Sequence, residues 1–156
     1  MNIMSVSIAL HVLSVVVWVG GMFFAYVCLR PAAATVLEPP QRLTLWAQTF
    51  ARFFPFVWLA IIFILFSGYL MLFTLWGGFA KAPVYVHIMN GLGIVMMLIF
   101  MHVFFAAYKR LREAVAIQDW PAGAKKLAQI RLLIGINLSI GIIVILAATM
   151  GRALLG

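Results

Sequence analysis

The residues of this chain best suited to chemistry are its three histidines, His11, His87 and His102, which all lie in apolar segments long enough to cross a bilayer. An ionisable side chain within a membrane segment is costly, so by default it indicates a functional site. A neutral imidazole is also the commonest metal-binding side chain. The histidines therefore predict a bound metal or metal cofactor.

Two of these histidines are predicted to lie at a similar depth. Counted from the start of their apolar segments, His11 lies about 12 Å and His87 about 5 Å along a helix, and the two depths agree within the uncertainty of segment boundaries. Two imidazoles at one level of a helix bundle can be the axial ligands of haem b. Trp18 shares a helix face with His11, and Asn90 and Gly91 share one with His87, so these three residues are predicted to line the same site.

His102 lies about 22 Å further along the same helix than His87. No other histidine is expected at that level, so a haem there would need a ligand from another molecule or an open iron position. His102 is therefore a candidate ligand of a second haem.

The alternative interpretation of the same residues is a copper site. Met4 is close to the helix face of His11, Met89 is near His87, and a thioether together with an imidazole suits Cu(I). In this interpretation Met4, His11, His87 and Met89 form an entry site for copper, and His102 is a further copper ligand nearer the cytoplasm. A third reading gives the histidines only interhelical hydrogen bonds, each worth about 1 kcal/mol.

Composition assigns the chain to the membrane proteins. Hydrophobic residues make up 67% of the 156 residues and charged residues only 9%, which leaves no room for a soluble domain. The apolar segments are near the ~20 residues that a membrane helix needs. We predict a single domain, an all-α up-down bundle of four transmembrane helices over about 3–29, 54–76, 84–108 and 132–150. In this scheme Pro31 closes the first helix and Pro55 lies in the first turns of the second.

The basic residues predict the orientation of this bundle. The net charge is +8, and most lysines and arginines fall in the first and third connections. By the positive-inside rule these connections are cytoplasmic and both termini are periplasmic. Anionic membrane lipid is then a natural partner of the basic residues, and no nucleic-acid partner is needed. We expect a multi-pass protein of the bacterial inner membrane.

Residues 10–31, reading LHVLSVVVWVGGMFFAYVCLRP, resemble the first helix of the CopD-like membrane proteins. That helix is in turn similar to the first helix of the HemJ-type protoporphyrinogen oxidases. The shared pattern is a histidine, a tryptophan seven residues later, and a small pair before an aromatic-rich turn. The resemblance continues through Arg52, Pro55 and Gly68, then through His87 and His102. It implies a four-helix membrane protein related to copper uptake on one branch and to haem-bound, quinone-linked porphyrinogen oxidation on the other.

Two departures separate the chain from the HemJ branch. His87 is followed by Ile88 and Met89, where that branch has a His-x-Lys arrangement, and Asn137 is followed by Leu138, where it has an Asn-Glu pair. A cation to steer propionates and an acid to move protons are therefore both missing. These departures favour the CopD-like branch and argue against protoporphyrinogen oxidase activity.

The function predicted at this point is electron transfer by a b-type haem near the outer face. Bis-imidazole ligation by His11 and His87 leaves no open iron position, which favours a redox role over oxygen chemistry. The expected partners are a membrane quinone or an outer-face redox or copper protein, and a homo-oligomer is consistent with the bundle. Copper uptake through histidine and methionine ligands is the alternative function.

Overall fold

The computed structural model of the protein describes residues 2–154, although the side chain of Arg152 lies outside that description. Four long helices, joined by short connections, make up almost all of it. A single 3₁₀ turn, Phe79–Lys81, interrupts the second connection. The helices are α1 (Ile3–Val36), α2 (Pro39–Trp76), α3 (Val84–Ala116) and α4 (Trp120–Leu154).

All four helices are long and apolar enough to cross a membrane, which confirms the predicted all-α bundle. Because the connections are short, successive helices run in opposite directions. The α1–α2 and α3–α4 connections therefore lie at one end, here called the basic end. The α2–α3 connection and both chain termini lie at the other, here called the termini end.

The helices extend beyond the predicted spans, mainly at the basic end. Hydropathy detects only the part of a helix that lies in hydrocarbon, whereas the helical hydrogen bonds continue into more polar sequence. At the termini end, single residues determine where the helices begin and end. Asn2 caps α1 by accepting a hydrogen bond from the Met4 N–H at 3.1 Å, and Gly77 ends α2 in a left-handed conformation with φ 68°.

Two expectations about proline are wrong. α1 does not end at Pro31, because a π-helical segment, Phe24–Leu29, is followed by a further α-helical segment, Arg30–Val36. Pro31 lies in the first turn of that segment, where a missing N–H is tolerated. Pro55 lies well inside α2, since that helix begins at Pro39. Its ring is exposed, and membrane helices tolerate such interior prolines.

A cluster of aromatic side chains fills the middle of the bundle. Phe54 is its centre, with ring centroids 4.9 Å from Tyr108 and 5.3 Å from Phe100, both edge to face. Edge-to-face pairs add stability beyond the area that they bury. We call the following residues the aromatic cluster: Trp18, Phe50, Phe54, Trp58, Phe100, Phe104 and Tyr108.

The aromatic cluster lies between two cavities. One, of about 220 Å³, is near the termini end, and the other, of about 570 Å³, is near the basic end. Phe54 and Phe100 are almost fully buried at the level between them. The bundle therefore has two separate places where a ligand could be held.

Candidate metal site near the termini end

His11 is the imidazole of the termini-end cavity. It projects from α1 towards α2 and is half-buried, with its Nδ1 3.0 Å from the Ser67 Oγ. Glycine at position 68 leaves room for this approach, because a Cβ there would lie 3.2 Å from the His11 Cε1, closer than an ordinary van der Waals contact. The contact fixes the ring between two helices and makes it part of the cavity wall.

We assign the tautomer of this imidazole from the hydrogen bonds of Ser67. The Ser67 hydroxyl donates to the Phe63 carbonyl oxygen one turn earlier, so its oxygen is left to accept from His11. Nδ1 then bears the proton and Nε2 retains the lone pair. An imidazole oriented in this way by its other nitrogen is arranged as a metal ligand.

Four methionines line the same cavity as His11. Met71 comes from α2, and Met89, Met96 and Met97 come from α3. The thioethers of Met96 and Met97 belong to buried side chains, 4% and 9% exposed. The cavity is therefore lined by four thioether side chains and one imidazole, in a largely apolar surround.

The polar groups of the cavity are few and mostly paired. The Tyr69 hydroxyl donates to the Asn90 Oδ1 at 3.0 Å, which links α2 to α3. Outside the lining, Asn137 links α4 to α3 by donating from its Nδ2 to the Met96 carbonyl oxygen at 3.2 Å. Among the described residues, none of those that line the cavity is an Asp or a Glu.

Only some of the residues predicted from sequence meet in this cavity. The structure brings together His11 and Trp18 from the first predicted segment with Met89 and Asn90 from the third. Outside the lining are Met4, His87, Gly91 and His102.

His87 and His102 are both exposed on α3. The His87 ring lies against Phe79, with centroids 5.8 Å apart. His102 is the last residue of the first α-helical part of α3, Val84–His102, just before a second π-helical segment, Val103–Tyr108. Because His11 and His87 do not share a cavity, their pairing as haem ligands stays a prediction that the geometry does not favour.

Of the four cavity methionines, only Met89 was predicted from the sequence; Met71, Met96 and Met97 were not. A signal was available in the spacing. Met96 follows Met89 by two helical turns and so lies on the same helix face. For Met71 no such neighbour was known, because the Ser67–His11 contact one turn away is visible only in the structure. In residues 2–154, no three His, Cys, Asp or Glu side chains are grouped so that they could hold a metal ion.

The fold and the cavity together define the class: a four-helix membrane protein whose helices enclose a small cavity of thioether and imidazole groups. The family model of CopD, described as copper resistance protein D, matches residues 47–150. The chain belongs to this family. No curated protein and no solved structure matches the chain.

The matched segment covers most of α2, all of α3 and most of α4. It includes Ser67, Gly68 and the four cavity methionines, whereas His11 lies before it. The match supports the CopD-like resemblance and a link to copper, and it does not extend the resemblance to the HemJ-type oxidases.

Proposed function

We propose that the protein binds Cu(I) in the termini-end cavity as a step in copper uptake across the membrane. The observation that supports this most is the donor set, in which the His11 imidazole shares one cavity with four methionine thioethers. Thioether and imidazole ligands select Cu(I) over harder metals. Membership of the copper resistance protein D family favours the same metal.

The charge of the cavity suits a monovalent ion. Its described lining residues include no carboxylate, so a divalent ion would enter without anionic partners. A single positive charge costs less to desolvate, and the soft donors replace its water. The ion binds and leaves as Cu(I), so no electron donor or acceptor is required.

The residues have separate roles in this proposal. His11 offers Nε2, while Ser67 holds the ring through Nδ1. The methionines offer sulfur, and their unbranched side chains can adjust to an ion as it arrives and leaves. The Tyr69–Asn90 hydrogen bond holds α2 and α3 together beside the site.

The distribution of basic residues supports a direction. If the basic end is cytoplasmic, the termini end and its cavity face the periplasm of a bacterial inner membrane. Copper would then enter from that side, delivered as the free ion or by an outer-face copper protein. Passage towards the basic end requires the aromatic cluster to open, because it separates the two cavities.

Haem b is the weaker alternative for this site. The cavity of about 220 Å³ is below the roughly 300–1,000 Å³ of pockets for organic ligands. The second proposed axial ligand, His87, is exposed and lies outside the lining. An ion fits these dimensions better than a porphyrin does.

Replacing two cavity methionines tests the proposal in cells. We expect Met71→Leu with Met89→Leu to lower copper accumulation by about tenfold in cells that express the protein, because leucine keeps the packing but removes sulfur ligands. Accumulation is measured by metal analysis of washed cells, with expression matched by immunoblot.

The matched control replaces two methionines outside the cavity, Met101→Leu with Met150→Leu. This variant is expected to accumulate copper as the unmodified protein does. Equal accumulation by the cavity variant and the control variant would show that the thioethers of this cavity do not handle copper.

A further inference from the structure

The basic-end cavity combines three guanidinium groups from three helices. Arg30 comes from α1, Arg42 from α2 and Arg131 from α4, and all three line a volume of about 570 Å³. In the part of the chain that the structure describes, no Asp or Glu contributes to this lining. The positive charge gathered here therefore has no carboxylate within the cavity to balance it.

The contacts of these arginines leave donors available. The Arg30 guanidinium lies over the Tyr26 ring, 4.8 Å from its centroid. The Arg42 Nη1 donates to the Ala34 carbonyl oxygen over a long 3.5 Å. A guanidinium has several N–H donors in a planar fork suited to phosphate, and these contacts occupy few of them.

The cavity is apolar on the side nearer the middle of the membrane. Trp46 and Phe50 follow Arg42 along α2 by one and two turns, and Ile134 follows Arg131 along α4. Tyr26 forms the limit of the cavity nearer the middle of the membrane. Its ring packs on α4 at Gly135, where an added Cβ would lie only 2.9 Å from the Tyr26 Cε2. The guanidinium groups thus lie nearer the membrane surface, and the aromatic and aliphatic part of the lining lies nearer the middle of the membrane.

This arrangement matches the two parts of an anionic membrane lipid. A phosphodiester needs cationic donors near the membrane surface, and the acyl chains need an apolar surface directly below it. Basic pockets between transmembrane helices are known to hold anionic lipid head groups. The volume also lies within the range of pockets that bind organic molecules.

We propose that the basic-end cavity binds an anionic phospholipid, with its phosphate on Arg30, Arg42 and Arg131 and an acyl chain along Trp46 and Phe50. The lipid fills the space between α1, α2 and α4 and neutralises the arginines. This inference does not depend on copper, since the two cavities are separated by the aromatic cluster.

Titration of the detergent-purified protein with phosphatidylglycerol tests the inference, with bound lipid counted by native mass spectrometry. We expect phosphatidylglycerol to bind at least about tenfold more tightly than phosphatidylcholine, because the zwitterionic choline head group carries no net negative charge. Arg131→Gln is expected to weaken phosphatidylglycerol binding by about tenfold, in keeping with the loss of a charge-assisted hydrogen bond.

The matched control is Arg110→Gln, which removes the same charge from another exposed arginine, one that lies on α3 outside the cavity. It is expected to change binding by less than about twofold. Arg131→Lys keeps the charge but loses the planar fork, so it is expected to weaken binding even where the glutamine variant does not fold.

Three results would overturn the proposal. One is equal weakening by Arg110→Gln and the Arg131 variants, which would indicate diffuse surface charge. Another is equal binding of phosphatidylcholine. The third is displacement of the lipid by millimolar inorganic phosphate, which would make the cavity a site for the free anion.

Discussion

Replacing His11 with leucine is expected to weaken Cu(I) binding by the purified protein by more than about 100-fold, since loss of a group that only supports a ligand already costs 10–100-fold. His11 is the one nitrogen ligand that we assign to the cavity, and its Nε2 is freed for the metal by the Ser67 contact. The affinity is measured anaerobically by competition with a chromophoric Cu(I) chelator.

His87→Leu is the matched control for this variant. His87 is exposed and lies outside the cavity lining, so its removal is expected to leave the Cu(I) affinity within about threefold of the unmodified protein. Bis-histidine haem ligation would require both variants to lose the cofactor together. Equal effects of the two substitutions on metal binding would therefore contradict the assignment of His11 to a copper cavity.

Phe54→Ala is expected to lower the free energy of unfolding by about 3–5 kcal/mol, the range for removing a large buried aromatic side chain. Phe54 is 3% exposed and its ring contacts those of Phe50, Phe100 and Tyr108 in the aromatic cluster. Alanine would leave a void where helices α2 and α3 meet. Reversible unfolding in mixed micelles measures the difference.

Phe66→Ala on the same helix is the control, because Phe66 is 63% exposed and its ring faces outward. We expect it to change the free energy of unfolding by less than about 0.5 kcal/mol. If the two variants were equally destabilised, the middle of the bundle would not be held by the aromatic cluster.

The four-helix membrane fold could be predicted from the sequence because each apolar segment is close to the length that a bilayer requires. The ends of the helices could not. α1 continues past Pro31 because a π-helical segment, Phe24–Leu29, leads into a further α-helical segment, Arg30–Val36, and rules for proline do not describe this change in backbone hydrogen bonding. α2 likewise includes Pro55 in its interior.

The candidate site was predictable in part. His11, Trp18, Met89 and Asn90 were selected from residue type and helical spacing, and they meet in one cavity. His87 was placed with them because depth along a helix can be counted from sequence. Its direction depends on how α3 is rotated against its neighbours, and a helix that is apolar on all sides gives no periodic signal for that rotation.

The role of the cavity methionines could not be predicted from the sequence either. Met96 and Met97 fill gaps in a packed helix and also line a cavity, and residue type alone does not separate these two roles. Only the position of α3 against α2 and α1 shows that both methionines line the same cavity as His11.

The most direct test of copper binding is metal analysis of the detergent-purified protein after anaerobic incubation with Cu(I) and removal of the excess, with an absorption spectrum of the same sample. Cu(I) binding in the termini-end cavity predicts stoichiometric copper and no haem absorption. A protein without copper that shows the sharp reduced α-band of a six-coordinate b-type haem would contradict it.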